Sequence, residues 1–175
     1  MSDSVLEQWL ARENEVRALY AQGTGSGSNN LDDIRTQTGL ALMQGMMNGT
    51  RPGPSISKTM DFLLVEVASG HAVFQGTPGE KYFNPMGTVH GGWYATLLDS
   101  ALGCAVHTLM PAGRGYTTSQ LSVNLVKAIG PKVQRVRAEG KVVHCGRQLA
   151  TAEARLYGPD GTLYAHATTT CLVFD

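Results

Sequence analysis

Between Trp93 and Val106 nearly every residue is apolar or small, a composition a helix carries when it is buried on most sides. One long helix of that kind has to be enclosed by something broad, and the runs around it are strand-like. It opens on Asn84-Pro85-Met86-Gly87-Thr88-Val89-His90-Gly91-Gly92 and holds one acid, Asp99. A helix start presents free backbone N–H groups and the positive end of the macrodipole. A carboxylate in apolar surroundings can serve as base or nucleophile. An oxyanion site and its attacking group thus lie on one element. At about 100° per residue, Asp99 shares its face with Gly92, Ala95, Leu102, Gly103 and Val106. Ala95 and Gly103, one turn to either side, leave room beside the carboxylate, which predicts a pocket there.

Upstream, apolar residues from Val5 to Tyr20 follow helical spacing, with Ser4 as a candidate cap and Glu7 three residues on. Residues 23–30, rich in Gly, Ser and Asn, read as a flexible linker. Leu31 to Met47 is a second helical pattern with a break at Gly39, closed by Asn48-Gly49 and the turn Arg51-Pro52-Gly53-Pro54. Met60 to Ala68 and His71 to Gly76 read as a strand pair about Ser69-Gly70. The central helix runs from about Gly91 to Leu109. Strand-like runs follow at Gly115 to Lys127, Gln134 to His144, Gln148 to Tyr157 and Leu163 to Val173, with short turns between them. The order predicts an α+β fold in which one helix lies across a curved antiparallel sheet.

Composition narrows the function. A chain of 175 residues fits one domain with a real core. Fourteen basic residues balance fourteen acidic ones, which speaks against a nucleic-acid or polyanion surface. The run without charged side chains from Phe83 to Leu98 carries Asn, Pro, His and three glycines, so no membrane partner is expected. Cys104, Cys145 and Cys171 lack metal spacing and cannot all pair, and the N-terminus lacks a signal pattern; both predict a reducing, cytoplasmic setting. No two histidines have ligand spacing, so no metal is expected.

The segment NPMGTVHGGWYATLLD, Asn84 to Asp99, resembles the hotdog-fold acyl-CoA thioesterases of the PaaI-like group, in the 4-hydroxybenzoyl-CoA thioesterase-like superfamily. The resemblance runs from about Gly39 to Asp175 and includes Ala138-Glu139-Gly140, the Cys145-Gly146-Arg147 turn and Ala165-His166-Ala167-Thr168. It implies a hotdog domain over 39–175, a curved antiparallel sheet wrapped around the helix, with 1–38 as an N-terminal helical extension and linker. It implies hydrolysis of an aromatic or medium-chain acyl-CoA to free acid and CoA without a cofactor. Asp99 matches the nucleophile or general base, and Gly91 the glycine whose N–H meets the thioester carbonyl. His90 matches the histidine that holds the loop and polarises the thioester region. Asn84 matches an asparagine that positions water or the carbonyl. Thr118 matches a hydroxyl that orients the nucleophile from the partner subunit. Gly92, Gly146 and Arg147 fall at substrate-binding positions, with Arg147 where a basic residue meets CoA phosphate. Implied partners are the acyl-CoA and further copies of the chain, as a homodimer or a dimer-of-dimers homotetramer with sites at the subunit interface. One departure is Gly103, where some relatives carry Thr or Ser.

The residues themselves leave alternatives open. His90 fits a helix cap as well as a substrate contact. Gly91, Gly92 and Asn84 fit turn roles as well as chemical ones. A hotdog hydratase or dehydratase usually needs an Asp–His pair a few residues apart, and here nine residues separate His90 from Asp99. A non-catalytic acyl-CoA binding or regulatory module predicts binding without turnover.

Overall fold

The computed structural model describes residues 2–175. Strands β1 (Phe62–Ala68), β2 (His71–Gly76), β3 (Gly115–Leu125), β4 (Val136–Cys145), β5 (Leu149–Tyr157) and β6 (Leu163–Phe174) form one antiparallel sheet in the order β1-β2-β4-β5-β6-β3. The α+β order predicted from the strands, and the hotdog that the resemblance implies, are present. Helix α5 (Gly91–His107) packs against the inner face of the sheet, chiefly β4, β5 and β2.

The close approach of helix and sheet follows from small residues. Ala138, Ala150, Ala152, Ala154, Ala165 and Ala167 are all buried on the inner face. Where α5 crosses β4, a side chain on Gly140 would collide with the Ala101 carbonyl. Trp93, Leu97, Leu98, Leu102 and Val106 fill the space this leaves. The helix stops at His107, two residues before the predicted end. The Thr108 hydroxyl accepts the Gly70 N–H at 2.7 Å and donates to the Ala105 carbonyl at 2.6 Å, tying the helix end to the β1–β2 turn.

The outer face of β1 and β2 is covered by α1 (Ser2–Gln22). Phe62 and Leu64 belong to the core around α5, while Leu63 and Val65 on the opposite face pack with Val16 and Val73. This makes β1 apolar on both faces, a pattern otherwise read as a fully buried strand. Glu13 anchors the helix. It is 3% exposed and accepts from Arg135 at 2.6 Å, Arg17 at 2.8 Å and Gln75 at 2.7 Å. Burial opposes its ionisation, but these hydrogen bonds outweigh it and hold the Glu13 carboxyl below its usual range. Arg137 continues the network, donating to Gln75 at 2.9 Å and lying over the Trp9 ring.

Several local expectations need correction. The helix α1 begins before Ser4, which lies inside it and is no cap. Residues 23–30 are tied down despite their composition: Thr24 donates to Gly49, Gly27 to Gly53, and Gly53 back to Gly25. The second helical pattern splits into α2 (Leu31–Thr36) and α3 (Gly39–Met47), with the Thr38 hydroxyl accepting from Ala41 as an N-cap. Gly39 starts α3 because a side chain there would meet the His107 carbonyl. A short helix, α4 (Ser55–Met60), follows the predicted turn and takes Met60, so β1 starts at Phe62 rather than at Met60. Among the described residues no helix is long and apolar enough to cross a membrane.

Candidate active site

The loop before α5 is shaped by Asn84. Its side-chain oxygen accepts the N–H groups of Met86 at 2.9 Å and Thr88 at 3.3 Å, and its amide donates to the Thr88 hydroxyl at 3.0 Å. Gly87 takes φ +78° to close the turn, a conformation that favours glycine. Asn84 is therefore at the predicted place: its oxygen and one amide hydrogen shape the loop, and among the described residues its second amide hydrogen has no protein acceptor where Asn84 lines the cavity beside Gly91. The loop is docked by Val89 donating to Ile129 at 3.0 Å and His90 donating to Tyr82 at 2.8 Å.

His90 is the N-cap of α5. Its Nδ1 accepts the Gly92 N–H at 2.9 Å, and its carbonyl accepts the Trp93 N–H at 2.9 Å. An accepting Nδ1 assigns the ring proton to Nε2, which is left to donate outward. The Gly92 N–H is thus consumed by the cap. The Gly91 N–H has no protein acceptor among the described residues. Gly91 lines a cavity of about 230 Å³ with Asn84, Thr88, Tyr94, Leu125 and Lys127. A Cβ at position 91 would lie 2.9 Å from Leu125 Cδ1, so the glycine also serves close packing. His90 and Gly92 line a separate cavity of about 460 Å³ with Lys81, Tyr82, Trp93 and Thr96.

Asp99 is half-buried, and its Oδ1 accepts from the Thr118 hydroxyl at 3.2 Å. Both residues belong to the same chain. This corrects the expectation that Thr118 faces the acid from a partner subunit: antiparallel packing of β3 beside α5 brings the two together locally. Gly91 and Asp99, in contrast, are eight residues apart on one helix, about 12 Å along its axis. The oxyanion site and attacking group read as neighbours on one element are therefore separated within a single chain.

The space expected at Gly103 is also filled. A Cβ there would lie 3.0 Å from the Tyr116 hydroxyl, and the Tyr116 ring stacks edge-on against His107 at 5.4 Å. Burial first, then nearby charges including Asp99, push the Tyr116 phenol well above its usual range, so it stays protonated. Sequence reasoning passed over Tyr116. The signal that finds it is strand alternation: it lies two residues before Thr118, on the same face of β3. Cys104 is pushed up to about 12 by burial and by the charge of Asp99, which leaves it a thiol and no nucleophile at neutral pH.

Gly146 and Arg147 lie apart from all of this. The Gly146 N–H donates to Leu149 at 2.8 Å, closing the β4–β5 hairpin, and the Arg147 carbonyl accepts from Arg114 at 2.5 Å. Arg114 precedes the Gly115 end of β3, whereas Gly91 meets its Leu125 end. Eleven strand residues put these ends about 30 Å apart. Within one chain the predicted phosphate contact and the loop do not meet.

Residues 86–165 match the profile of the thioesterase superfamily. No curated protein matches the chain. Among solved structures, the fold is similar to that of a phenylacetic acid degradation-related protein from Ralstonia eutropha, with TM-score 0.69 and 23% identity over 75% of this chain and 98% of that one. It is also similar to a mutant of the phenylacetic acid degradation protein PaaI from Thermus thermophilus, with TM-score 0.61 and 26% identity over 67% of this chain and 96% of that one. The PaaI protein of E. coli is similar in fold, with TM-score 0.64 and 17% identity over 70% of this chain and 86% of that one.

Proposed function

We propose that this chain, which belongs to the thioesterase superfamily as a PaaI-like hotdog thioester hydrolase, cleaves an aromatic or medium-chain acyl-CoA to free acid and CoA. Asp99 acts as nucleophile or general base, and the Gly91 N–H is the oxyanion donor. The observation that carries this is the unspent Gly91 N–H at the first position of α5. Attack on a thioester builds negative charge on the carbonyl oxygen, and one preorganised N–H aimed at it contributes about 3 kcal/mol. His90 supports this by taking the Gly92 N–H, and Asn84 by holding the loop in shape. Thr118 keeps the Asp99 carboxylate oriented through Oδ1.

The reacting carbon has to lie about 3–3.5 Å from the attacking atom while its oxygen reaches the donor. A separation of about 12 Å between Gly91 and Asp99 exceeds that span. On this reading each site takes Asp99 and Thr118 from one copy and Asn84, His90 and Gly91 from another. β3 stands at an edge of the sheet and ends beside exposed Leu125 and Val126, which favours pairing of two β3 edges. An antiparallel two-fold pairing brings the Gly115 end of one copy, with Gly146 and Arg147, beside the loop of the other. The unit is a homodimer, able to pair again into a tetramer; residues 39–175 form the hotdog and 1–38 an added clasp. Three free cysteines fit a reducing, cytoplasmic setting.

Thiol release over a panel of acyl-CoAs tests the reading. Asp99→Asn is expected to lower kcat by at least about 100-fold on the best substrate; a rate near that of the unaltered protein overturns it.

A further inference from the structure

Resting on that reading, we propose that Tyr116 is a positioning residue that holds the attacking water against Asp99, which makes Asp99 a general base. Tyr116, half-buried, and Thr118, exposed, are successive residues on the α5-facing side of β3, paired with buried Val173 and Cys171 of β6. They face successive turns of α5: Thr118 bonds Asp99, and Tyr116 places its hydroxyl 3.0 Å from the Cβ position of Gly103. Thr118 occupies Oδ1 of Asp99, while among the described residues no donor reaches Oδ2 and no partner bonds the Tyr116 hydroxyl. Asp99 and Gly103 lie one helical turn apart, about 6 Å along the axis, and the proposed water bridges the phenol over Gly103 to the carboxylate one turn before it. The absent side chain at Gly103 is what lets the phenol reach this place.

The water donates one hydrogen bond to Asp99 Oδ2 and accepts one from the Tyr116 O–H. Its remaining lone pair is then free for the thioester carbon. As the O–C bond forms, Asp99 takes the water proton and the carbonyl oxygen takes the negative charge, facing a Gly91 N–H. Collapse of this intermediate breaks the C–S bond, and Asp99 returns the proton to the departing thiolate. One water and one thioester become one acid and one thiol.

The test is steady-state thiol release by Tyr116→Phe and Gly103→Ala, with thermal unfolding recorded for both. Tyr116→Phe keeps the ring and removes the hydroxyl; Gly103→Ala keeps the hydroxyl and displaces it. Each is expected to lower kcat about 10- to 100-fold, the loss of one hydrogen bond at the reacting atoms, with KM within about twofold. Rapidly quenched enzyme is expected to show no acyl adduct by intact mass. A Tyr116→Phe enzyme with unchanged kcat, or an acylated protein in the quench, overturns the assignment while leaving the thioesterase reading in place. Asp99→Asn run alongside separates the two, because its retained activity overturns the thioesterase reading itself.

Discussion

At Gly91 the chemistry rests on a backbone atom, and that makes it unusually open to test. Proline is tolerated at the first position of a helix because its missing N–H is unused by the helix itself. Gly91→Pro therefore deletes the oxyanion donor while α5 keeps its start. We expect kcat to fall about 100- to 1,000-fold. Gly91→Ala, which adds a Cβ against the tip of Leu125 but keeps the N–H, falls far less. Equal losses in the two variants, measured by thiol release, would assign Gly91 to packing alone. Asn84, His90, Gly91 and Asp99 were legible at this scale because a turn, a cap and a helix face are local properties. Tyr116 was not, since nothing in its own neighbourhood of sequence says that its hydroxyl fills the gap at Gly103.

The elements depend on two contacts with opposite chemistry. Where α5 meets β4, Gly140 admits the Ala101 carbonyl. Gly140→Ala forces helix and sheet apart and is expected to cost about 1–3 kcal/mol, seen as a lowered Tm. Where α1 meets the sheet, Glu13 is a buried carboxylate with two arginines. Glu13→Gln is expected to cost about 2–3 kcal/mol in urea unfolding at neutral pH, toward the low side because Arg17 is half exposed. Its carboxyl is held below the ordinary value of 4.5, so its stabilisation is complete above that pH. It is lost as the pH falls through the lower, folded value. The stability gap between Glu13→Gln and the unaltered protein should hold down to about pH 5 and close below it; a gap independent of pH would show that the charge contributes nothing. Strand positions were legible from alternation and turn residues. The splitting of the 31–47 helix, the appearance of α4 and the pinning of residues 23–30 were not, because each is decided by a long-range partner such as His107 or Gly49.

For the whole molecule the decisive quantity is the length of α5 between Gly91 and Asp99. If each site draws on two copies, Asp99→Asn and Gly91→Pro chains, each inactive alone, recover activity when unfolded together and refolded as mixed dimers. A mixture as inactive as its parts would place both groups in one chain's site. The amino-acid order by itself determined a helix buried among strands, a glycine-opened loop before it and one carboxylate within it, because periodicity and backbone freedom are written residue by residue. Tertiary structure alone decided which groups meet. It placed Thr118 on Asp99 of its own chain, the Tyr116 phenol over Gly103, Arg135 on Glu13, and Arg147 at the far end of β3 from its own loop. Those pairings arise from strand order, helix crossing and burial, and residues 19, 13, 122 or 56 positions apart in sequence carry no local trace of them.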